Sequence, residues 1–480
     1  MFFRQIVDTK LAQYAYLIGC QATGEAIIID PERDIDQYQM IAAKEGLALV
    51  AAADTHIHAD YLSGLREFAE AGVKVFASDE GDADWKYEWL KDSSYDHQLL
   101  HHRDVFKIGN IQFEVVHSPG HTPEHVSYLV TDLGGGADAP IGLASGDFVF
   151  VGDLGRPDLL ESAAGIEGAM EPSARTLHES VLKFLDLDDY IQIWPGHGAG
   201  SACGKALGAV PESTVGYERR FNVAIQSALR GEEEFVSAIL DGQPEPPMYF
   251  ARMKRDNRGG PELLGVLPNP PAVSVDEIAA IASSDAVILD TRLDRAAFMA
   301  GHLQGSLYCP LNKAFNTIAG SFVEETQSLY LIVEKSQLEE AVRDLIRIGL
   351  DRIEGFITLD TLEAYMQSGG EMVQTERVGM DRILEFRDDP NVELLDVRPM
   401  SEYSASHLPG AFNIAHNRLL VRRDELDSGT RKGVYCNSGA RAASAAALLE
   451  RLGHDVTYID GDFEAWSAEN ETALGVAQVV

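Results

Sequence analysis

From the N-terminus to about residue 243, short apolar runs end in polar turns that contain Gly or Pro, and stretches with helical spacing lie between them. This alternation predicts an α/β layer structure. Four runs pass abruptly into polar motifs: LALVAAADTHIHADY, FEVVHSPGHTPEH, IGLASGDFVFVGD and YIQIWPGHG. Over Arg252 to Pro271 the chain reads RMKRDNRGGPELLGVLPNPP, charged at first and then rich in Gly and Pro. That composition disfavours both helix and central strand and predicts a linker. Beyond it, Ser274 precedes Glu277 by three residues, a capping-box start for a helix, and VILD at 287–290 reads as a buried strand.

The C-terminal part repeats itself. VILDTRLDRAAFMAGHLQGSLYCPLN (287–312) aligns with ELLDVRPMSEYSASHLPGAFNIAHN (393–417) through Asp-x-Arg, His-Leu-x-Gly and a short apolar segment. Each copy also has a second strand, LYLIV or GVY, so strands alternate with helices and a parallel sheet is expected in each. A chain of 480 residues accommodates three domains at about 150 residues each. The expected spans are 1–250, a linker over 251–271, 272–370 and 371–480, with Ser368-Gly369-Gly370 between the copies.

Composition narrows the setting. The chain has 45% hydrophobic and 24% charged residues, the balance of a globular protein. No run approaches the roughly 18 apolar residues of a membrane span, and the N-terminus lacks the basic and apolar segments of a secretion signal. With 76 acidic against 39 basic residues the net charge is -37, which repels nucleic acid and anionic membranes and excludes both as partners. Cys20, Cys203, Cys309 and Cys436 are scattered in no disulfide or zinc spacing, which fits a reducing cytoplasm.

The four strand-end motifs supply His56, His58, Asp60, His121, Asp147 and His197. One such histidine is ordinarily a hydrogen-bonded structural residue, but six donors in loops after buried strands form a constellation that can converge on one metal. The arrangement resembles the metallo-β-lactamase fold, an αββα sandwich whose His-x-His-x-Asp-His motif and later His, Asp and His residues bind up to two metals. At the last His of that motif this chain has Tyr61, whose phenol titrates near 10 and is a poor ligand at neutral pH. Its presence weakens a second metal position and favours one metal per chain.

The segments THIHADYLSGL, SPGHTPEHVSY, SGDFVFVGDLGRPDL and PGHGAGSACG are similar to the persulfide dioxygenase branch of that fold. The resemblance implies one Fe(II) held by His56, His121 and Asp147, with His58, Asp60 and His197 orienting ligands and water or forming an alternative metal position. Asp153 is the competing carboxylate, but Asp147 follows its strand directly. Arg156 has two readings, a substrate clamp or a structural ion pair. Cys203 also has two, a sulfur relay or a packing residue in its Gly-rich loop.

In GVYCNSGARAASAAALLERL a strand runs into Cys436 and a helix follows. The six-residue loop Cys436, Asn437, Ser438, Gly439, Ala440 and Arg441 offers backbone N–H groups, a helix start and a guanidinium to a thiolate or persulfide. DVRPMSEY, HLPGAFNI and IDGDFEAW resemble rhodanese domains. Tyrosine phosphatases use a related loop one residue longer, so loop length favours sulfur transfer. In the first copy, aligning LYLIVEK with GVYCNSG puts Glu334 at the position of Cys436, and that copy is read as a rhodanese-like domain without the catalytic cysteine.

The expected fold class is therefore α/β, a metallo-β-lactamase sandwich followed by two rhodanese-like domains. The resemblance implies a cytoplasmic, homo-oligomeric persulfide dioxygenase (sulfur dioxygenase) and sulfurtransferase of sulfide metabolism. Its small-molecule partners are glutathione persulfide or a similar thiol carrier, O2, and sulfite or thiosulfate. The alternative is a glyoxalase II-like thioester hydrolase fused to a sulfurtransferase.

Overall fold

The computed structural model describes residues 1–162, 165 and 167–470, so the last ten residues of the span 371–480 lie outside the described residues. The chain divides into two compact units, one of residues 1–267 with 346–349, the other of the rest from Pro268 onward.

The first unit contains two six-stranded sheets. One runs in the order β1 (Phe2–Asp8), β2 (Gln13–Cys20), β3 (Glu25–Ile29), β4 (Ala48–Ala53), β5 (Lys74–Ser78) and β6 (His97–Leu100). The other joins β7 (Val105–Ile108), β8 (Ile111–His117), β9 (Val126–Asp132), β10 (Gly142–Gly146), β11 (Gln192–Pro195) and β12 (Ser213–Thr214) as β12-β11-β10-β9-β8-β7. The period-two pattern sets their faces. In β8, Ile111, Phe113 and Val115 are buried while Gln112 and Glu114 are partly exposed. In β2, Tyr16 and Ile18 enter the core between the sheets with Ile27, Phe113, Tyr128 and Trp194. Leu17, on the opposite face, packs with Tyr38 and Phe68 from the helices Asp36–Lys44 and Leu65–Glu70. The helices Met170–Phe184, Val223–Arg230 and Glu232–Leu240 cover the second sheet through Leu177, Phe184, Ile225 and Phe235. Each such large apolar side chain contributes roughly 1.5–3 kcal/mol. The result is the four-layer αββα sandwich.

One expectation is corrected. The segment read as a linker begins with a helix, Phe250–Gly259. Phe250, Met253 and Asn257 are buried at helical spacing while its charged residues are exposed or half-buried, and Gly259-Gly260 terminates the helix rather than preventing it.

The second unit contains two parallel sheets. β13 (Val287–Asp290), β14 (Leu307–Tyr308), β15 (Leu329–Ile332) and β16 (Ile353–Ile357) lie in the order β14-β13-β15-β16. β17 (Glu376–Gly379), β18 (Val392–Asp396), β19 (Phe412–Asn413), β20 (Arg431–Tyr435) and β21 (Val456–Asp460) lie in the order β17-β21-β20-β18-β19. Apart from β17 the two orders match, as the sequence repeat predicts. The repeated Asp-x-Arg is an internal ion pair in both copies: Arg292 binds Asp290 and the Gly301 carbonyl, and Arg398 binds Asp396 and the Ser406 carbonyl. The ladders correct the alignment of the copies. Asp290 pairs with Ile332 and Asp396 with Tyr435, so Val333, not Glu334, occupies the position of Cys436. Among the described residues no helix is long and apolar enough to cross a membrane.

Candidate metal centre and cysteine loop

Strand ends bring the donors together. His56 follows β4, His121 follows β8, Asp147 follows β10 and His197 follows β11. The ligand atoms of His56, His121 and Asp147 all lie within 4.8 Å of one another, and all three residues are buried. The His121 Nδ1–H donates to the Arg156 carbonyl at 3.0 Å, which leaves Nε2 as the unprotonated nitrogen, 3.6 Å from Asp147 Oδ2. The His56 Nδ1–H donates to Thr55 Oγ1 at 3.0 Å, and the Thr55 hydroxyl in turn donates to Asp30. Neither Asp147 oxygen accepts a hydrogen bond among the described residues. Burial raises its carboxyl to about 6 against the pull of His197, and lowers His121 to about 3. Two neutral imidazoles facing a carboxylate with free lone pairs fit a divalent cation, which would replace the missing hydrogen bonds. Gly196 is required here by close approach, because a Cβ would stand 2.5 Å from Asp147 Oδ1.

His58 turns away from this trio. Its Nε2–H donates to Asp30 Oδ1 at 3.1 Å, and burial, which alone would lower its pKa, is outweighed by Asp30, so it rises to about 9. Tyr61 lies beside it, with its hydroxyl donating to the Asp30 carbonyl at 3.2 Å and 3.1 Å from His58 Nε2. Burial holds that phenol well above its usual range. Asp60 and His197 form a second buried group with Cys203, in which His197 Nε2 lies 3.2 Å from Asp60 Oδ2 and 3.4 Å from Asp147 Oδ1. Burial, with Asp60 and Asp147 nearby, pushes the Cys203 thiol up, so it stays protonated.

Arg156 makes the structural ion pair, binding both oxygens of Asp158 at 3.0 and 2.6 Å and the Ala202 carbonyl at 2.9 Å. It orients His121 through its own carbonyl rather than through its charge. The Asp153 side chain accepts backbone N–H groups of Leu154, Lys205 and Ala206, while Asp147 faces the histidines. Sequence reasoning passed over three residues that shape the site. Asp30 ends the apolar run AIIID, so the rule that singled out the other strand ends would have found it. His125 accepts the Asp147 backbone N–H at Nε2, 3.0 Å, and is linked through Nδ1 to Ser118 at 2.9 Å. Lys254 stands 3.4 Å over the Trp85 ring and lines a narrow pocket beside His121 with Ile57, Trp85, Leu159 and Phe250. Partial burial lowers its ammonium to about 8, although Glu124 opposes the shift.

In the second unit, Cys436 is buried at the end of β20, and the helix Ala440–Arg451 follows. The Ala442 N–H points at Cys436 Sγ, 3.4 Å away, and Arg441 makes a bidentate pair with Glu402 at 2.6 and 2.8 Å. Phe463 N–H holds the Asn437 carbonyl at 2.8 Å. Gly439 has φ +82°, and a Cβ there would stand 2.3 Å from Asp460 Oδ1. Cys309 is buried near the Phe315 carbonyl at 3.6 Å, away from the loop position.

Comparison with known proteins agrees with this architecture. The description "Metallo-beta-lactamase superfamily" matches residues 8–197, and "Rhodanese-like domain" matches 380–469. A solved metallo-beta-lactamase from Staphylococcus aureus is 41% identical, covers 75% of this chain and 99% of its own, and superposes with a TM-score of 0.66. The chain belongs to the metallo-beta-lactamase superfamily. It joins a metallo-beta-lactamase domain to a C-terminal rhodanese-like domain. The mitochondrial persulfide dioxygenase ETHE1 of Bos taurus is 28% identical over 244 residues, 50% of this chain and 80% of that protein. A beta-lactamase hydrolase-like protein of Agrobacterium fabrum is 30% identical over 292 residues, 55% of this chain and 61% of its own length.

Proposed function

We propose that this chain oxidises a low-molecular-weight persulfide to sulfite with O2 at a single iron held by His56, His121 and Asp147, and transfers sulfane sulfur through Cys436. One observation carries the first half. The buried trio keeps both Asp147 oxygens free of hydrogen bonds, while the residue at the family's additional ligand position, Tyr61, is engaged by Asp30 and His58. Iron(II) with two imidazoles and one carboxylate keeps open positions for O2 and a sulfur ligand. The bovine relative's name and the rhodanese-like match both support a role in sulfur metabolism.

The protein's own groups position and exclude. Thr55 and the Arg156 carbonyl fix the two imidazoles, and the burial of all three donors keeps bulk water out. Lys254, at the apolar pocket beside His121, is placed to pair with a carboxylate of the carrier thiol. In the rhodanese-like domain a Cys436 persulfide gives its outer sulfur to sulfite. The Cys436 S–S bond breaks, the S–S bond of thiosulfate forms, and the electron pair remains on Cys436 as thiolate.

The Asp60, His197 and Cys203 group favours one rival, a two-metal thioester hydrolase with Cys203 as the extra ligand. Metal analysis with parallel assays separates the two. One iron per chain, with O2 uptake on glutathione persulfide but no hydrolysis of lactoylglutathione, supports the dioxygenase. Two zinc ions with thioester hydrolysis and no O2 uptake refutes it.

A further inference from the structure

The cysteine-less copy reaches the loop of its neighbour. Arg295 begins the helix Arg295–Ala300 of the first copy, and its Nη2–H donates to the Ser438 carbonyl, inside the Cys436 loop, at 3.0 Å. The same guanidinium pairs with Asp460, Nε to Oδ1 at 3.2 Å and Nη2 to Oδ1 at 3.1 Å. The Asp460 Oδ1 also accepts the Tyr458 hydroxyl at 2.6 Å, and that hydroxyl lies 3.0 Å from the Gly439 carbonyl. Arg377 holds the other Asp460 oxygen at 2.7 Å. The helix that leaves the loop is anchored on the first copy as well, since Arg451 donates to the Gly305 carbonyl at 2.8 Å and to those of Asp285 and Ala286 at 3.2 Å.

These contacts matter because of peptide geometry. In a trans peptide the C=O and N–H point in opposite directions, so the partner that fixes a carbonyl also aims the next N–H. Three successive loop carbonyls have partners: Asn437 the Phe463 N–H, Ser438 the Arg295 guanidinium, and Gly439 the Ala443 N–H of the following helix. The middle one has a partner from the other copy. With Ser438 C=O drawn to Arg295, the Gly439 N–H is directed away from that partner, within a loop where the Ala442 N–H already points at Cys436 Sγ. Asp294 caps the helix that carries Arg295 by accepting the Ala296 and Ala297 N–H groups at 2.9 and 3.1 Å, so the arginine's origin is fixed as well.

We infer that Arg295 is a positioning residue for Cys436, and that the copy without a cysteine completes the sulfur-transfer site of the copy that has one. The inference rests on Cys436 as the sulfur carrier. It predicts that the first copy cannot be separated from the second without loss of thiolate stabilisation, although it contributes no group to the sulfur itself.

The test uses the full-length, iron-loaded protein with Arg295→Ala and Arg295→Lys, the second keeping one donor and the charge. The pH dependence of Cys436 alkylation by iodoacetamide, followed at that residue by peptide mass, is read beside the thiosulfate:cyanide sulfurtransferase rate. Arg295→Ala is expected to move the alkylation midpoint up by about one pH unit and to lower kcat about tenfold more than it changes KM. Arg295→Lys should recover most of the midpoint shift, with iron content and persulfide-dependent O2 uptake as in the parent. A midpoint unchanged in Arg295→Ala overturns the inference, whatever happens to the rate, because a merely structural residue could lower activity without touching the thiol. Cys436→Ser is the separate control. If wild-type transfer survives that substitution, the reading of Cys436 as the carrier fails, while the alkylation profile still judges Arg295.

Discussion

The candidate metal centre and the cysteine loop are built in opposite ways. His56, His121 and Asp147 come from three strand ends between residues 56 and 147, and their side chains are the candidate donors, which the backbone only delivers. The Cys436 loop is six consecutive residues, and its Asn437 and Ser438 peptides are oriented by Phe463 and Arg295. Side-chain truncation should therefore be decisive at the first site, whereas the second should be most sensitive to changes of backbone geometry around Cys436.

That contrast can be broken most directly at His121. His121→Ala is expected to lower bound metal and O2 uptake by at least about 100-fold, while sulfurtransferase activity stays within about twofold, since the two sites belong to separate compact units and independent sites behave additively. Metal analysis and the two assays on one preparation check it, and loss of both activities would contradict independent sites. Cys436→Ser should reduce sulfur transfer to background with iron content and O2 uptake unchanged; transfer that persisted would place the nucleophile elsewhere. A smaller effect is expected from Gly439→Ala. Its φ of +82° and the 2.3 Å approach to Asp460 Oδ1 impose strain of about 1–3 kcal/mol, enough to lower transfer about tenfold without removing the thiol. Wild-type transfer by that variant would show that loop backbone is not the controlling feature. Lys254→Met gives the mildest change, a KM about tenfold higher for a carboxylate-bearing persulfide with kcat nearly constant. Equal effects on an uncharged persulfide would remove Lys254 from substrate recognition.

Much of this was legible in the sequence because strand ends have a local signature. An apolar run that stops at His or Asp announces a donor, and the four motifs read in this way all reach the buried clusters. The repeat was legible for a similar reason, since Asp-x-Arg and His-Leu-x-Gly each make a local contact that the fold reuses: His302 and His407 both bond the carbonyl four residues earlier. What stayed hidden depends on distance in space. The helix Phe250–Gly259 was masked by its charges and Gly pair, yet Asn257 on its buried face donates to the His58 and Tyr61 carbonyls at 2.8 and 2.7 Å and so steadies the loop that carries His56 and His58. The position matching Cys436 in the first copy was misplaced by one residue because LYLIV and GVY carry no register information until β13 and β18 are paired with their neighbours. Arg295 gave no sequence signal at all, because its partner Ser438 lies 143 residues away.

The central claim is a single-iron site that oxidises a persulfide, and its most direct test is stoichiometric. Protein loaded with one iron per chain is given glutathione persulfide in an oxygen electrode cell, and sulfite is trapped as it forms. The overall reaction, persulfide with O2 and water giving thiol, sulfite and two protons, requires one O2 consumed for each sulfite, with both signals lost in His121→Ala. Sulfite without O2 uptake, or no O2 uptake by the fully iron-loaded protein, would contradict it.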